Sequence, residues 1–168
     1  MQEIRLTPTS YIVLGLLELA GEATPYGLKQ LVATSVGNFW TLHHAQLYSE
    51  PQRLASAGYV TERREHGGRR RKLYSLTDDG RRALDEWRTE GTSSLGELRQ
   101  PALLKLFFGA DPAELAAVQL PAHRAKLAEY EAIRDGMPEE IPAGPRLALE
   151  SGLMNERMMI EFWEGLAG

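Results

Sequence analysis

Cysteine is absent from the 168-residue chain, and with it go disulfides, zinc ribbons, thiolate nucleophiles and iron–sulfur ligation. Only four histidines and the carboxylates remain to hold a metal. Long apolar runs are missing too: nowhere do the roughly 18 consecutive apolar residues of a membrane span occur. The first residues, MQEIRLTPTS, lack the basic stretch and apolar segment of a secretory leader. There is no phosphate-binding P-loop, no Gly-rich dinucleotide fingerprint and no Ser/His/Asp grouping, so an enzyme finds no local support. These absences lead to the expectation of a soluble cytoplasmic protein without cofactor or catalytic site.

What is present is a composition of 43% hydrophobic and 25% charged residues, that of a chain able to bury a core. The formal charge of -4 hides an asymmetry. Residues 1–82 hold 11 Lys and Arg against 8 Asp and Glu, about +3, whereas residues 83–168 hold 8 against 15, about -7. The stretch RREHGGRRRK, residues 63–72, concentrates six of the 19 cations around a Gly-Gly pair. Such crowding costs self-repulsion unless an anion relieves it.

Helical periodicity places a buried first helix on Ile12, Val13, Leu16, Leu17 and Ala20, with Thr9 or Ser10 as its expected N-cap. Thr24-Pro25 starts a second helix, because proline at the first helical position gives up only an amide that had no partner. A third runs to about Ala57, with Leu47, Pro51 and Leu54 on one face and a kink or late start expected at Pro51. Residues 59–65 and 71–77 read as two strands joined across His66-Gly67-Gly68. Thr77 then caps a fourth helix, with Gly80 standing where a full capping box wants Glu.

Three helices, a hairpin and a helix are the order of a winged helix-turn-helix domain, here expected over residues 1–95. Residues 96–168 read as wholly helical: 98–108, 112–135 and 146–166. The expected fold is therefore mainly α with a small β-hairpin wing, and the second lobe is expected to mediate dimerisation.

The candidate chemistry follows from this order. The wing brings Arg63, Arg64, Arg69, Arg70, Arg71 and Lys72 to a hairpin end suited to a phosphate backbone. The third helix offers Thr41, His43, His44, Gln46, Ser49, Gln52 and Arg53, all able to meet base edges or phosphates. Glu50 reads as a discriminator or a solvated acid. His43 and His44 are adjacent and so diverge by about 100° on a helix, which argues against a metal site. Met154, Met158 and Phe162 recur every four residues and, with Trp163, suggest an interface with a second copy. Trp40 and Trp87 are candidates for an apolar effector pocket. Double-stranded DNA is the expected partner; the alternative is a winged-helix module that binds protein instead.

LTPTSYIVLGLL (6–17), TPYGLKQL (24–31), QLYSEPQRLASAGYVTER (46–63) and RRRKLYSLTDDGRRAL (69–84) together resemble the PadR family of transcriptional regulators. LLKLFFG (103–109) and LALESGLMNERMMIEFWEGL (147–166) resemble its C-terminal lobe. The resemblance implies a homodimeric regulator, usually a repressor, on a palindromic operator, released in some members by a small molecule. One departure is that Ser49 and Glu50 separate Leu47-Tyr48 from Pro51, where many members carry Pro directly after that pair.

Overall fold

The computed structural model describes residues 4–43, 45–64, 71–96 and 99–168. These form seven α-helices and a three-stranded antiparallel sheet, and the chain divides into two compact units, Met1–Ser93 and Ser94–Gly168.

The first unit runs α1 (Pro8–Ala20), β1 (Glu22–Ala23), α2 (Pro25–Ala33), a 3-10 turn (Val36–Asn38), α3 (Gln46–Ser56), β2 (Val60–Arg64), β3 (Lys72–Leu76) and α4 (Asp78–Thr89). α1 starts earlier than its apolar stripe suggests. Thr7, not Thr9 or Ser10, is the N-cap: its hydroxyl accepts from the Ser10 amide, and the Ser10 hydroxyl accepts from the Thr7 amide at 2.8 Å. The correction follows from Pro8, which fits the first helical position because no amide is needed there.

Val13, Leu14, Leu16 and Leu17 of α1 pack with Leu28 and Val32 of α2, Leu47 and Leu54 of α3, Val60, Tyr74 and Leu76 of the strands and Leu84 of α4. α3 begins at Gln46 and continues through Pro51. Pro51 has no amide for the Leu47 carbonyl, yet its ring is fully buried.

In the sheet the order is β1-β3-β2. β1 was not expected: two residues are too few for an alternating pattern, and Glu22 pairs with Ser75 far along the chain. At the start of α4 the Thr77 hydroxyl accepts from the Gly80 amide at 3.1 Å and donates to the Gly58 carbonyl at 2.8 Å. A Cβ on Gly80 would lie 2.1 Å from the Tyr59 carbonyl oxygen. The missing glutamate of the capping box is thus explained by space: the chain before β2 passes where a side chain would stand.

The second unit holds α5 (Pro101–Phe107), α6 (Pro112–Asp135) and α7 (Ala143–Glu164). α6 has its expected bounds. α5 begins at Pro101 rather than 98, and Leu98 lies outside the described residues. α7 begins before Arg146 because Pro145 falls in its first turn, where no amide is required. Gly152 lets the Tyr130 ring approach α7; a Cβ there would meet it at 3.0 Å. Ala102, Ala116, Leu120, Met159 and Trp163 form the core of this unit. Among the described residues no helix is long and apolar enough to cross a membrane.

Candidate nucleic-acid interface

Burial along α3 falls on Leu47, Glu50, Pro51 and Leu54, the i, i+3, i+4, i+7 stripe of a helix seated on a core. The opposite side is therefore exposed: Gln46, Tyr48, Ser49, Gln52 and Ser56 face solvent, and Thr41 and His43 are exposed ahead of it. His44 lies outside the described residues. Tyr48 joins this polar face although the sequence reading omitted it. The available signal was the Leu47, Pro51, Leu54 spacing, which leaves position 48 about 100° around the helix from Leu47.

Arg53 differs from its neighbours. Its guanidinium reaches Glu50 through Nε at 2.8 Å and Nη2 at 2.6 Å, and donates to the Ser10 hydroxyl at 3.0 Å and the Arg5 carbonyl at 3.3 Å. Ser10 in turn donates to Glu50 Oε1 at 2.6 Å. The sequence led to the expectation of a discriminator or a solvated acid at Glu50; instead it is buried, 9% exposed. Burial opposes its ionisation, but the hydrogen bonds from Arg53 and Ser10 outweigh burial and hold the carboxyl below its ordinary value. The physical reason for the correction is the α3 stripe, which turns residue 50 inward. The network ties α3 to α1 and leaves Arg53 37% of its side chain in solvent.

The hairpin sorts its charges by strand alternation. On β2, Arg63 stands opposite Leu73, while Arg64 and Glu62 stand opposite Lys72 and Tyr74 on the other face. Arg63 reaches across β3 to Glu22 of β1 at 3.0 Å. Lys72 and the Tyr74 hydroxyl both donate to Glu62 Oε2 at 3.0 Å, with Arg64 at 3.8 Å from Oε1. The Lys72 bond is the main reason the Glu62 carboxyl sits below its ordinary value. Burial, then the Glu62 bond, push the Tyr74 phenol up to about 12. Arg63, Arg64 and Arg71 are exposed; Arg69 and Arg70 lie outside the described residues.

Trp40 and Trp87 are both partly exposed, and Trp87 stacks on Tyr11 with centroids 4.7 Å apart. On α7, Met154, Met158 and Phe162 are exposed as a stripe. Trp163 is not part of it. Its ring is fully buried, because position 163 falls one step, about 100°, around the helix from 162 and meets α5 and α6 instead. Among the described residues no three His, Cys, Asp or Glu side chains cluster as metal ligands.

Comparison with known proteins decides the family. Residues 13–86, within the first unit, match the transcriptional regulator PadR-like family, and residues 98–166, within the second, match the virulence activator alpha C-terminal family. Residues 13–86 carry the PadR-like domain of transcriptional regulators. That is not an enzyme class. A curated relative, the negative transcriptional regulator PadR of Bacillus subtilis, is 29% identical over 128 residues, covering 72% of this chain and 70% of that one. The crystal structure of B. subtilis PadR in complex with operator DNA matches with a TM-score of 0.84 at 25% identity, over 98% of this chain and 100% of that one. The same protein in complex with p-coumaric acid matches with a TM-score of 0.77 at 25% identity, over 97% of both chains. The winged-helix fold of this PadR-type chain thus has whole-length counterparts.

Proposed function

We propose that this PadR-type regulator binds double-stranded DNA as a homodimer in the cytoplasm, represses from a palindromic operator, and has no catalytic role. The single observation that carries the reading is a polar, solvent-facing side of α3 on the same compact unit as a cationic hairpin. Gln46, Ser49 and Gln52, with Tyr48, Thr41 and His43, form the base-reading surface, where hydrogen-bonding side chains discriminate base edges. Arg63, Arg64, Arg71 and Lys72, with Arg69 and Arg70 beyond the described residues, supply phosphate contacts that position the helix. Arg53 acts mainly by orienting α3. Two wings and two helices are brought together through the α7 stripe, since a two-fold dimer buries the same patch on both copies.

The B. subtilis relative solved with operator DNA and with p-coumaric acid supports extending the reading to a small aromatic effector, for which Trp40 and Trp87 are the candidate contacts. Quenching of tryptophan fluorescence by p-coumaric acid, saturable in the wild type and changed in Trp40→Phe or Trp87→Phe, is the expected signature.

Anisotropy of duplexes selected from a random pool tests the DNA reading. Gln52→Ala should weaken the selected site by about tenfold or more, in line with 1–3 kcal/mol per good base contact, and leave random duplex unchanged. Arg64→Ala should weaken both alike and flatten the salt dependence. Absence of saturable duplex binding by the wild type at about 50 mM salt, where phosphate contacts are strong, would overturn the reading.

A further inference from the structure

The wing's acids invite a question of their own. Strand alternation divides the hairpin end into two faces, and among the described residues each carries one carboxylate against its cations. On the face of Arg63, Leu73 and Ser75 the acid is Glu22, supplied by β1 on the far side of β3. On the face of Arg64, Lys72 and Tyr74 it is Glu62, supplied by β2 itself. The sheet also has its backbone pairing and its buried Tyr74, Leu76 and Val60 to hold it. Both pairs are at least partly in solvent: the Arg63 and Glu22 side chains are 59% and 49% exposed, those of Lys72 and Glu62 33% and 22%. An exposed pair such as Arg63–Glu22 contributes little to stability, so its exchange for another oxyanion is easy; the half-buried Lys72–Glu62 pair exchanges less readily.

A carboxylate at 3.0 Å from a guanidinium or ammonium occupies the position a phosphate oxygen would take. From this geometry we infer that Glu22 and Glu62 are resident competitors of the polyanion, docked on the wing's cations in the free protein and lowering its sequence-independent affinity. The inference rests on the DNA-binding reading for its biological meaning, but its chemistry concerns any polyanion. The two acids are not equivalent. Glu22 accepts from Arg63 among the described residues, and on displacement it returns to water. Glu62 keeps the Tyr74 hydroxyl at 3.0 Å when Lys72 leaves, so it stays beside the cations and opposes an incoming phosphate more strongly. Arg63, Arg64 and Lys72 therefore do not act as bare charges, and the wing's pull on duplex is smaller than its cation content suggests.

The test compares Glu22→Gln, Glu62→Gln and the double variant with Glu86→Gln, which removes the same charge from an exposed position of α4 away from the hairpin strands. Two readouts keep this inference separate from the reading it rests on. On immobilised heparin the double variant should elute at clearly higher salt than Glu86→Gln. On random duplex at about 100 mM salt Glu62→Gln should bind roughly three- to tenfold tighter than the control and Glu22→Gln less so, the gap closing as salt screens the contacts. An unchanged thermal transition of the variants separates a gain in affinity from damage to the fold. If the variants match Glu86→Gln in both assays, or bind more weakly, the acids are not competitors and the inference falls. If heparin behaves as expected while no variant binds duplex, the competition stands and the DNA-binding reading fails.

Discussion

The two units of this chain finish their surfaces differently. In the first, Leu and Val of α1, α2 and α3 are nearly all buried, and the large apolar groups left outside are mostly Tyr and Trp, with Leu19 and Phe39. In the second, Leu104, Phe107 and Phe108 of α5, Val118 of α6 and Leu147, Met154, Met158 and Phe162 of α7 all remain exposed. One seven-residue helix cannot cover two long amphipathic ones, whereas the three helices and three strands packed with α1 can close a core. One unit closes its own core and turns charge outward; the other leaves these eight large apolar side chains in solvent. That contrast supports the proposal of polyanion recognition by the first unit and self-association through the second.

The sharpest way to break the comparison lies on one helix. Trp163→Ala should cost the second unit about 3–5 kcal/mol, the usual range for deleting a buried aromatic, read as loss of its thermal transition. Met158→Asp, five residues away on the exposed stripe, should leave a dilute protomer folded but weaken self-association by about a hundredfold, measured by sedimentation equilibrium. If both variants merely unfolded, the stripe would belong to the core after all.

In the first unit the largest effect is expected from Gly80→Ala. A methyl 2.1 Å from the Tyr59 carbonyl forces α4 or the β2 entry to move, for a cost near the upper end of the roughly 1–3 kcal/mol typical of overpacking. Denaturant titration of residues 1–93 within the full chain, followed by Trp87 fluorescence, would measure it.

Glu50→Gln has a smaller effect, about 1–2 kcal/mol, as charge-assisted bonds become neutral ones. It also carries a pH signature. Because the folded carboxyl is held below its ordinary value, its contribution is complete above the unfolded value near 4.3 and is lost as pH falls through the lower folded one. Wild-type stability should therefore drop more steeply than that of Glu50→Gln below about pH 4.5. Equal slopes in acid denaturation would show that the network does not hold α3.

How much of this was legible before the fold was known varies by element. α2, α4 and α6 announce themselves through Thr24-Pro25, Thr77 and Pro112, since a cap and a first-turn proline act within a few residues. The hairpin was legible from two short runs around Gly-Gly, although β1 was not, because a two-residue strand has no period of its own. On α3 the outward residues follow from its apolar spacing; Tyr48 and the inward turn of Glu50 were there to be found but depend on knowing where the helix begins.

The amino-acid order alone determined the charge asymmetry, the helix starts and the basic hairpin, because periodicity, capping and composition act locally along the chain. Only the tertiary structure decided that Glu50 bonds Ser10, that Arg63 crosses a strand to Glu22, that Gly80 has no room for a side chain and that Trp163 points inward. Each of those depends on groups brought together from distant positions, and no local pattern encodes which side chain will arrive.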